Sequence, residues 1–403
     1  MQAAGRLRER PLDPAARQVG DAPIRVLISQ AGATVRIASP DGFMLTSLAG
    51  SFIARAAQRE VWRIEHDGRR VRAIGPDGLA TDWTGPALVA RSIGNSVLSL
   101  GNKPYRGDFA FYGGDSGVLA VNDVPIDDYL RGVVPLEIGT QATADSAAIQ
   151  AQAVAARSYA YTHLTNEPAQ FYDVTDRVTD QVYGGVSVET AAATEAVETT
   201  RTLLLKYNGR VVNAPYHSTC GGATAAASEV WRSGDEPYLR SVSDRIPGTD
   251  RYYCDGAPRF RWTRTLDGAM VNAALASYLA KFTSVPGNAS GIARDIGVTA
   301  RTASGRVATI TITTNRGNFV LRGNDIRYVL RQPGGALLNS TDFSATIARG
   351  RDGAISLLTL RGKGYGHGVG MCQSGAIGRA RSGEDFRAIL ETYYPGTAVG
   401  PLE

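Results

Sequence analysis

In the segment VNDVPIDDYLRGVVPLEIGT one carboxylate, Glu137, stands between Leu136 and Ile138. Apolar neighbours disfavour the ionised form of a carboxyl group, so such a residue can keep a proton near neutrality and hand it to a leaving oxygen. Taken alone it could equally cap a turn or close a salt bridge, since most glutamates are solvated surface charges. Three more acids, Asp173, Asp176 and Asp180, lie in the polar text DVTDRVTDQVYGG, where carboxylates orient a ligand or hydrogen-bond a turning backbone. In the same stretch Gln181 and Tyr183 offer an amide and an aromatic face to a sugar, or simply fill core.

A second constellation is GYGHGVGMCQSGA, whose glycines at 364, 366, 368 and 370 permit tight turns that bring His367 and Gln373 to a surface. A phosphate-cradling loop also needs a lysine and a helix start at fixed spacing, which this text lacks, so a nucleotide site is excluded. His367 could carry a proton or anchor a ligand, or be a satisfied structural residue. In YHSTCGG, His217 and Cys220 form H-x-x-C; with Cys254 they make three donors of the kind zinc takes, leaving a fourth place for water or Cys372. The competing reading is a Cys220–Cys254 disulfide, which would close a loop of about 34 residues and contribute a few kcal/mol. A nucleophilic pair of Cys372 and His367 lacks the third group that would orient it.

The elements that must position these residues follow from periodicity. From Ile24 to about Tyr105, short alternating runs such as IRVLIS, TVRIAS and REVWRIEH are parted by Gly and Asp-Gly turns, the pattern of a small β-rich module. Ile126, Tyr129, Leu130, Val133 and Val134 then recur at helical spacing behind Pro125, with Asp127 and Asp128 in the first turn. This helix is expected to end before Pro135, leaving Glu137 in the following loop. ADSAAIQAQAVAARSYAYTHL predicts a long helix with an alanine face for close packing. Asn208-Gly209 between apolar runs predicts a β-hairpin, whose second strand would deliver Tyr216, His217, Ser218 and Cys220. RVATITITTNRGNFVLRG predicts another hairpin, and a helix around Asp385 to Tyr393 closes the chain before Pro395.

Taken in order, VNDVPIDDYLRGVVPLE, AIQAQAVAARSYAY, DRVTDQVYGG, YHSTCGG with SEVW, LNSTDF, GYGHGVGMCQSGA and ETYYPGT resemble the SpoIID/LytB family, named after stage II sporulation protein D and an enhancer of a cell-wall amidase. The resemblance covers about Tyr105 to Gly396 and leaves out the N-terminal module. It departs from the family pattern just after the glutamate, where Ile138 and Gly139 stand in place of Met and Pro. It implies an α+β domain with a glycan-binding cleft at 105–396; alternation sets the β-rich module at 23–104 before it, and the Arg-, Ala- and Pro-rich text at 1–22, without periodicity, reads as a flexible lead-in.

The resemblance also implies a lytic transglycosylase, which cuts between N-acetylmuramic acid and N-acetylglucosamine and closes a 1,6-anhydro ring, with Glu137 as acid and then base. Arg157, Gln181, Tyr183, Tyr216, His217, Ser218, His367 and Gln373 would line the substrate. A direct Arg157–Glu137 pair would lower the carboxyl pKa, so any contact between them should be indirect. The partners implied are peptidoglycan glycan strands and a cell-wall amidase, which the same cleft could stimulate without cleaving anything. No cofactor is implied by the reaction, zinc being the one candidate. In a third reading the β-rich module carries the function and the rest is scaffold.

Bulk properties agree with an envelope protein without requiring one. The chain has 403 residues, 43% hydrophobic and 20% charged, with a net charge of +5, room for two or three domains. Lys and Arg are scattered rather than gathered into a basic arm, so no nucleic-acid partner is read. No run approaches the roughly 18 apolar residues of a membrane span. The first residues, MQAAGRLRERPLDPAARQ, show no apolar stretch after their basic ones, so the exported location is an expectation from the resemblance and not from a leader. Three cysteines are too few for a disulfide scaffold.

Overall fold

The computed structural model describes residues 21–28, 34–94, 96–165, 170–232, 235–284, 290–331 and 334–402, so all but the last two residues of the expected lead-in lie outside it. The chain divides into two units, one formed by the chain up to Asn213 with Val399–Glu403, the other by Ala214–Ala398.

Alternation makes the first unit. Its strands are β1 (Pro23–Ile28), β2 (Thr34–Ala38), β3 (Phe43–Ser47), β4 (Phe52–Ala56), β5 (Val61–Asp67), β6 (Arg70–Ile74), β7 (Ala87–Ser92), β8 (Leu98–Leu100), β9 (Lys103–Tyr105), β10 (Asp108–Gly114) and β11 (Gly117–Pro125). In β1, Ile24, Val26 and Ile28 point inward and are fully buried while Arg25 and Leu27 face the other side, as a period of two requires. Helices α1 (Ile126–Ile138), α2 (Ser146–His163) and α3 (Ala191–Thr199) follow, with β12 (Val174–Thr175) between the last two and the hairpin of β13 (Leu203–Tyr207) and β14 (Arg210–Val211) after them.

A seven-stranded sheet runs in the order β12-β1-β11-β10-β7-β3-β4, and a five-stranded one in the order β6-β5-β2-β8-β9. The expected break at 104/105 is therefore absent: β1, β3, β4 and β7 pair into the same sheet as β10, β11 and β12. Backbone pairing joins the segments on either side, which patterning alone cannot reveal because it shows each strand's faces and not its neighbours.

The Asn208-Gly209 hairpin forms as expected, with Tyr207 opposite Arg210 and both turn residues at positive φ. It does not carry Tyr216 and His217, which sit on a separate short strand in the second unit. The long helix also forms, and Ala148, Ala151, Ala153, Ala155, Ala156 and Ala160 are its buried face.

α1 runs further than expected. Pro135 lies inside it and Glu137 is in its last turn, not in a loop. A proline removes one backbone hydrogen bond and crowds the preceding turn. Here it stands one turn from the end, where the burial of Val133, Val134 and Ile138 holds the helix together and Gly139, left-handed at φ 68°, closes it by donating its N–H to Pro135 O.

In the second unit β15 (Tyr216–His217), α4 (Ala227–Val230), β16 (Arg261–Asp267), α5 (Gly268–Tyr278), β17 (Ala293–Arg301), β18 (Val307–Thr314), β19 (Gly317–Arg322), α6 (Asp325–Val329), β20 (Phe343–Arg349), β21 (Ile355–Lys363), β22 (Met371–Cys372), α7 (Gln373–Arg381) and α8 (Phe386–Tyr393) follow in order. Sheets β16-β21-β20 and β17-β18-β19 share a core that includes Trp262, Phe343 and Leu360 from one and Ile296, Ile310 and Ile312 from the other, with Leu275 of α5. β15 pairs in parallel with β22, Tyr216 opposite Met371 and His217 opposite Cys372.

Gly132 of α1 is a contact point. A Cβ there would lie 2.7 Å from Tyr183 Cε2 and 2.9 Å from Gly185 O. Gly132→Ala should therefore destabilise the protein by about 1–3 kcal/mol, although alanine favours a helix more than glycine does. Urea denaturation at matched m-value measures it; unchanged stability would mean Tyr183 can step aside.

Candidate functional site

Glu137 is half-buried. Its Oε1 accepts a 2.8 Å hydrogen bond from Val182 N, so the loop after β12 fixes the carboxylate that the last turn of α1 presents. Beside it Leu136 is 42% exposed. Two tyrosines lie in its field. Tyr129, fully buried, donates to Gln181 Oε1, and burial first, then the charges of Tyr183 and Glu137, hold its hydroxyl protonated. Tyr159, on α2, donates to Asp180 Oδ1 at 3.3 Å and is likewise raised, by burial and then by Asp180. Its ring stacks on His163 at 3.9 Å.

The acids of the neighbouring loop are occupied with structure. Asp173 accepts from Arg25 Nε and Nη2 at 3.1 and 2.6 Å, and from the N–H of Arg25 and of Thr165. Asp180 takes the N–H and hydroxyl of Thr175 on Oδ2 and Tyr159 on Oδ1. Asp176 adds to the burial that lifts Tyr105 to about 12.

Three residues expected to touch substrate are enclosed instead. Arg157 is fully buried. Its Nε donates to Asp127 Oδ1 at 2.8 Å, its Nη1 to Thr200 O at 2.9 Å and its Nη2 to Val197 O at 3.0 Å, and none of these partners is Glu137. Gln181 is also fully buried, and its Nε2 donates to Ala156 O. Tyr183 donates to Asn122 Oδ1 at 3.0 Å, and its ring packs against Tyr129 and Tyr105. The polar groups of these side chains are engaged in hydrogen bonds within the protein. A side chain's type does not tell which side of an element it takes.

In the second unit the glycines at 364, 366, 368 and 370 all adopt positive φ, and the loop they shape leaves His367 half-buried. His367 Nδ1 accepts from Val369 N at 3.1 Å and Nε2 donates to Tyr216 O at 2.8 Å, which fixes the Nε2–H tautomer. Burial, then the charge of Arg327, lowers its pKa to about 3. With both nitrogens committed to backbone groups it is a fold-making residue and not the proton carrier the sequence allowed. His217 is buried, its Nδ1 donates to Val369 O, and its pKa falls well below the usual value through burial and then His367. Ser218 O accepts from Ser374, and Gln373 begins α7, buried.

The cysteines gather, but not as expected. All three are free thiols; Cys220 and Cys254 Sγ are 3.4 Å apart, too far for the roughly 2.05 Å bond of the expected disulfide. Nor does His217 join them. The fourth member is Asp244: the ligand atoms of Cys220, Asp244, Cys254 and Cys372 lie within 4.8 Å of one another, all buried. Burial pushes the Asp244 carboxyl up to about 8. Nothing near Asp244 in the sequence marks it, because its partnership is made by the fold across 24 residues to Cys220.

Comparison with known proteins places this geometry. The family described as stage II sporulation protein matches residues 114–207, and a domain of unknown function (DUF8618) matches residues 248–370. An uncharacterized protein of Brachyspira hyodysenteriae is 32% identical over 303 residues, 75% of this chain and 74% of its own. Stage II sporulation protein D of Bacillus subtilis is 31% identical over 299 residues, 70% of this chain and 77% of its own. The chain belongs to the stage II sporulation protein D family. The amidase enhancer of Bacillus subtilis is 30% identical over 302 residues, 67% of this chain, which spans only 40% of that protein's length. Within this family member, the matched segment holds Glu137, Tyr159 and the loop to Val182, whereas Cys220 and Cys372 fall outside both matched regions.

Two outcomes follow. Arg157→Gln should cost about 3–5 kcal/mol in chemical denaturation, because it leaves Asp127 and two buried carbonyls unsatisfied; a stable variant defective in ligand binding alone would return Arg157 to the substrate. His367 stays neutral when folded, whereas unfolded it takes a proton near pH 6.5, so its contribution is complete above that pH and is lost as pH falls. Between pH 7 and 5 the wild type should lose about 2 kcal/mol more than His367→Gln. Taking the difference between the two proteins removes the groups they share.

Proposed function

We propose that this chain is a lytic transglycosylase acting on peptidoglycan glycan strands in the cell envelope, outside the cytoplasm. The observation that carries the reading is the placement of Glu137 at the end of α1: a half-buried carboxylate steadied by Val182 N–H, while Asp173 and Asp180 of the neighbouring loop are consumed by Arg25, Thr175 and Tyr159. A glycosidase that uses water or a covalent intermediate needs a second carboxylate, as nucleophile or as base for the water. Intramolecular ring closure needs one.

In the proposed reaction Glu137 gives its proton to the N-acetylglucosamine O4 as the bond from that oxygen to C1 of N-acetylmuramic acid breaks. The muramic 6-hydroxyl oxygen then bonds to C1 and returns its proton to the carboxylate, so the acid is regenerated and no water is consumed. The Val182 N–H, donating to Glu137 Oε1, holds the carboxyl group in one place through both halves of the cycle. Tyr159, half-buried at the same place, offers ring surface to a sugar.

The name of the amidase-enhancer relative supports a second reading. On that reading the same ground binds glycan and stimulates a partner amidase, and Glu137 need not titrate.

Glu137→Gln keeps the shape and removes the proton. Incubated with amidase-stripped glycan strands, the wild type should release 1,6-anhydro-muramyl products, detected by mass spectrometry, and the variant at least about 100-fold less, with an unchanged melting temperature. Binding by both proteins without products from either would replace catalysis with the enhancer reading.

A further inference from the structure

The cluster of Cys220, Asp244, Cys254 and Cys372 has no part in the proposed reaction, yet it brings four segments of the second unit together. Cys220 follows β15, Asp244 and Cys254 stand on the irregular chain between α4 and β16, and Cys372 ends β22 at the threshold of α7. We propose that these four side chains bind one zinc ion, with three sulfurs and one carboxylate oxygen as ligands and no position left for water.

The spacing fits. A tetrahedral centre with zinc–sulfur bonds of about 2.3 Å places its sulfurs roughly 3.8 Å apart. The Cys220–Cys254 separation of 3.4 Å lies near that edge, and all four donor atoms fall within 4.8 Å of one another. Backbone donors are aimed at the sulfurs. Cys372 Sγ accepts backbone N–H groups from Cys220 at 3.1 Å and Gly375 at 3.3 Å, and Cys220 Sγ accepts one from Gly222 at 3.4 Å. Gly221 and Gly222 make the turn behind Cys220 at positive φ, where a Cβ on Gly222 would strike Tyr252 at 2.9 Å.

Asp244 is held from its outer side. Oδ1 accepts from Tyr393 hydroxyl at 2.7 Å and lies 3.5 Å from Arg379 Nε, while Oδ2 faces Cys220 Sγ at 3.6 Å. Tying one carboxylate oxygen to hydrogen-bond donors while the other meets the metal is the usual way such a ligand is oriented. Arg379 is itself steadied by Tyr253, 4.3 Å from its ring, and by Glu384. Charge makes the same point. A carboxylate packed against three thiolates would be untenable in a buried place without a cation, and a divalent ion with Arg379 offsets three of the four negative charges. Each thiol releases its proton to solvent as the ion enters, and no electron moves. Since every ligand is buried and the set is closed, the ion serves folding: it pins the start of α7 to the loop after β15.

The test uses the full chain purified without chelator. Elemental analysis should find about one zinc per chain, and iodoacetamide after denaturation with chelator but without reductant should add to three thiols. Asp244→Asn and Cys372→Ser should each lower the zinc content several-fold. Should those variants fail to fold, cobalt replacement in the wild type should give the intense visible bands of tetrahedral thiolate coordination. A protein that stays metal-free after incubation with zinc, or that adds iodoacetamide to one thiol only, would overturn the site. Neither result bears on Glu137, since glycan cleavage is read by a separate assay.

Discussion

The first unit depends on a single buried cation. Arg157 sits in the middle of α2 and spends its guanidinium on Asp127 in the first turn of α1 and on Val197 and Thr200 at the end of α3. A buried charge is tolerated only when its donors are matched, so three helices are held at one registration or the charge is stranded. α1 then has no freedom to slide, and the carboxylate in its last turn arrives at a fixed place, ten residues and about three turns from the Asp127 tether. The residue expected to meet a ligand instead sets where another residue can.

How much of this was legible depends on whether a feature is local. Hairpins declared themselves, because Asn208-Gly209 and the alternation in VATITITT are properties of adjacent residues. So did the alanine face of α2. What could not be seen was which side of an element a polar residue takes. Gln181 and Tyr183 lie two residues apart and look like cleft positions, yet both turn inward because buried acceptors at Ala156 and Asn122 claim them. The end of α1 departs from its local signal for a related reason: Pro135 predicts a stop by its own chemistry, and the packing that overrides it, through Ile138 and the cap at Gly139, is three and four residues further on.

The second unit shows the same contrast for chemistry. The run of glycines makes the tight turns its spacing predicts, but both ring nitrogens of its half-buried histidine are spent on backbone groups. Composition put three cysteines in view and left their fourth companion unseen, since an aspartate in ordinary loop text carries no mark until the fold closes around it.

One small pairing changes how the family's architecture should be divided. β12 has only two residues, and it joins β1 in parallel through Val26 and Leu27, where Arg25 grips Asp173. The opening strand therefore fastens the loop whose Val182 steadies Glu137. A chain cut before Tyr105 would lose that fastening and with it part of what holds Glu137 in place. Deletion of the opening segment would therefore act on Glu137 through lost anchorage. The two stretches must also be inherited together: the opening strands are no exchangeable cassette, and a lineage that swapped them would have to rebuild the grip on Asp173.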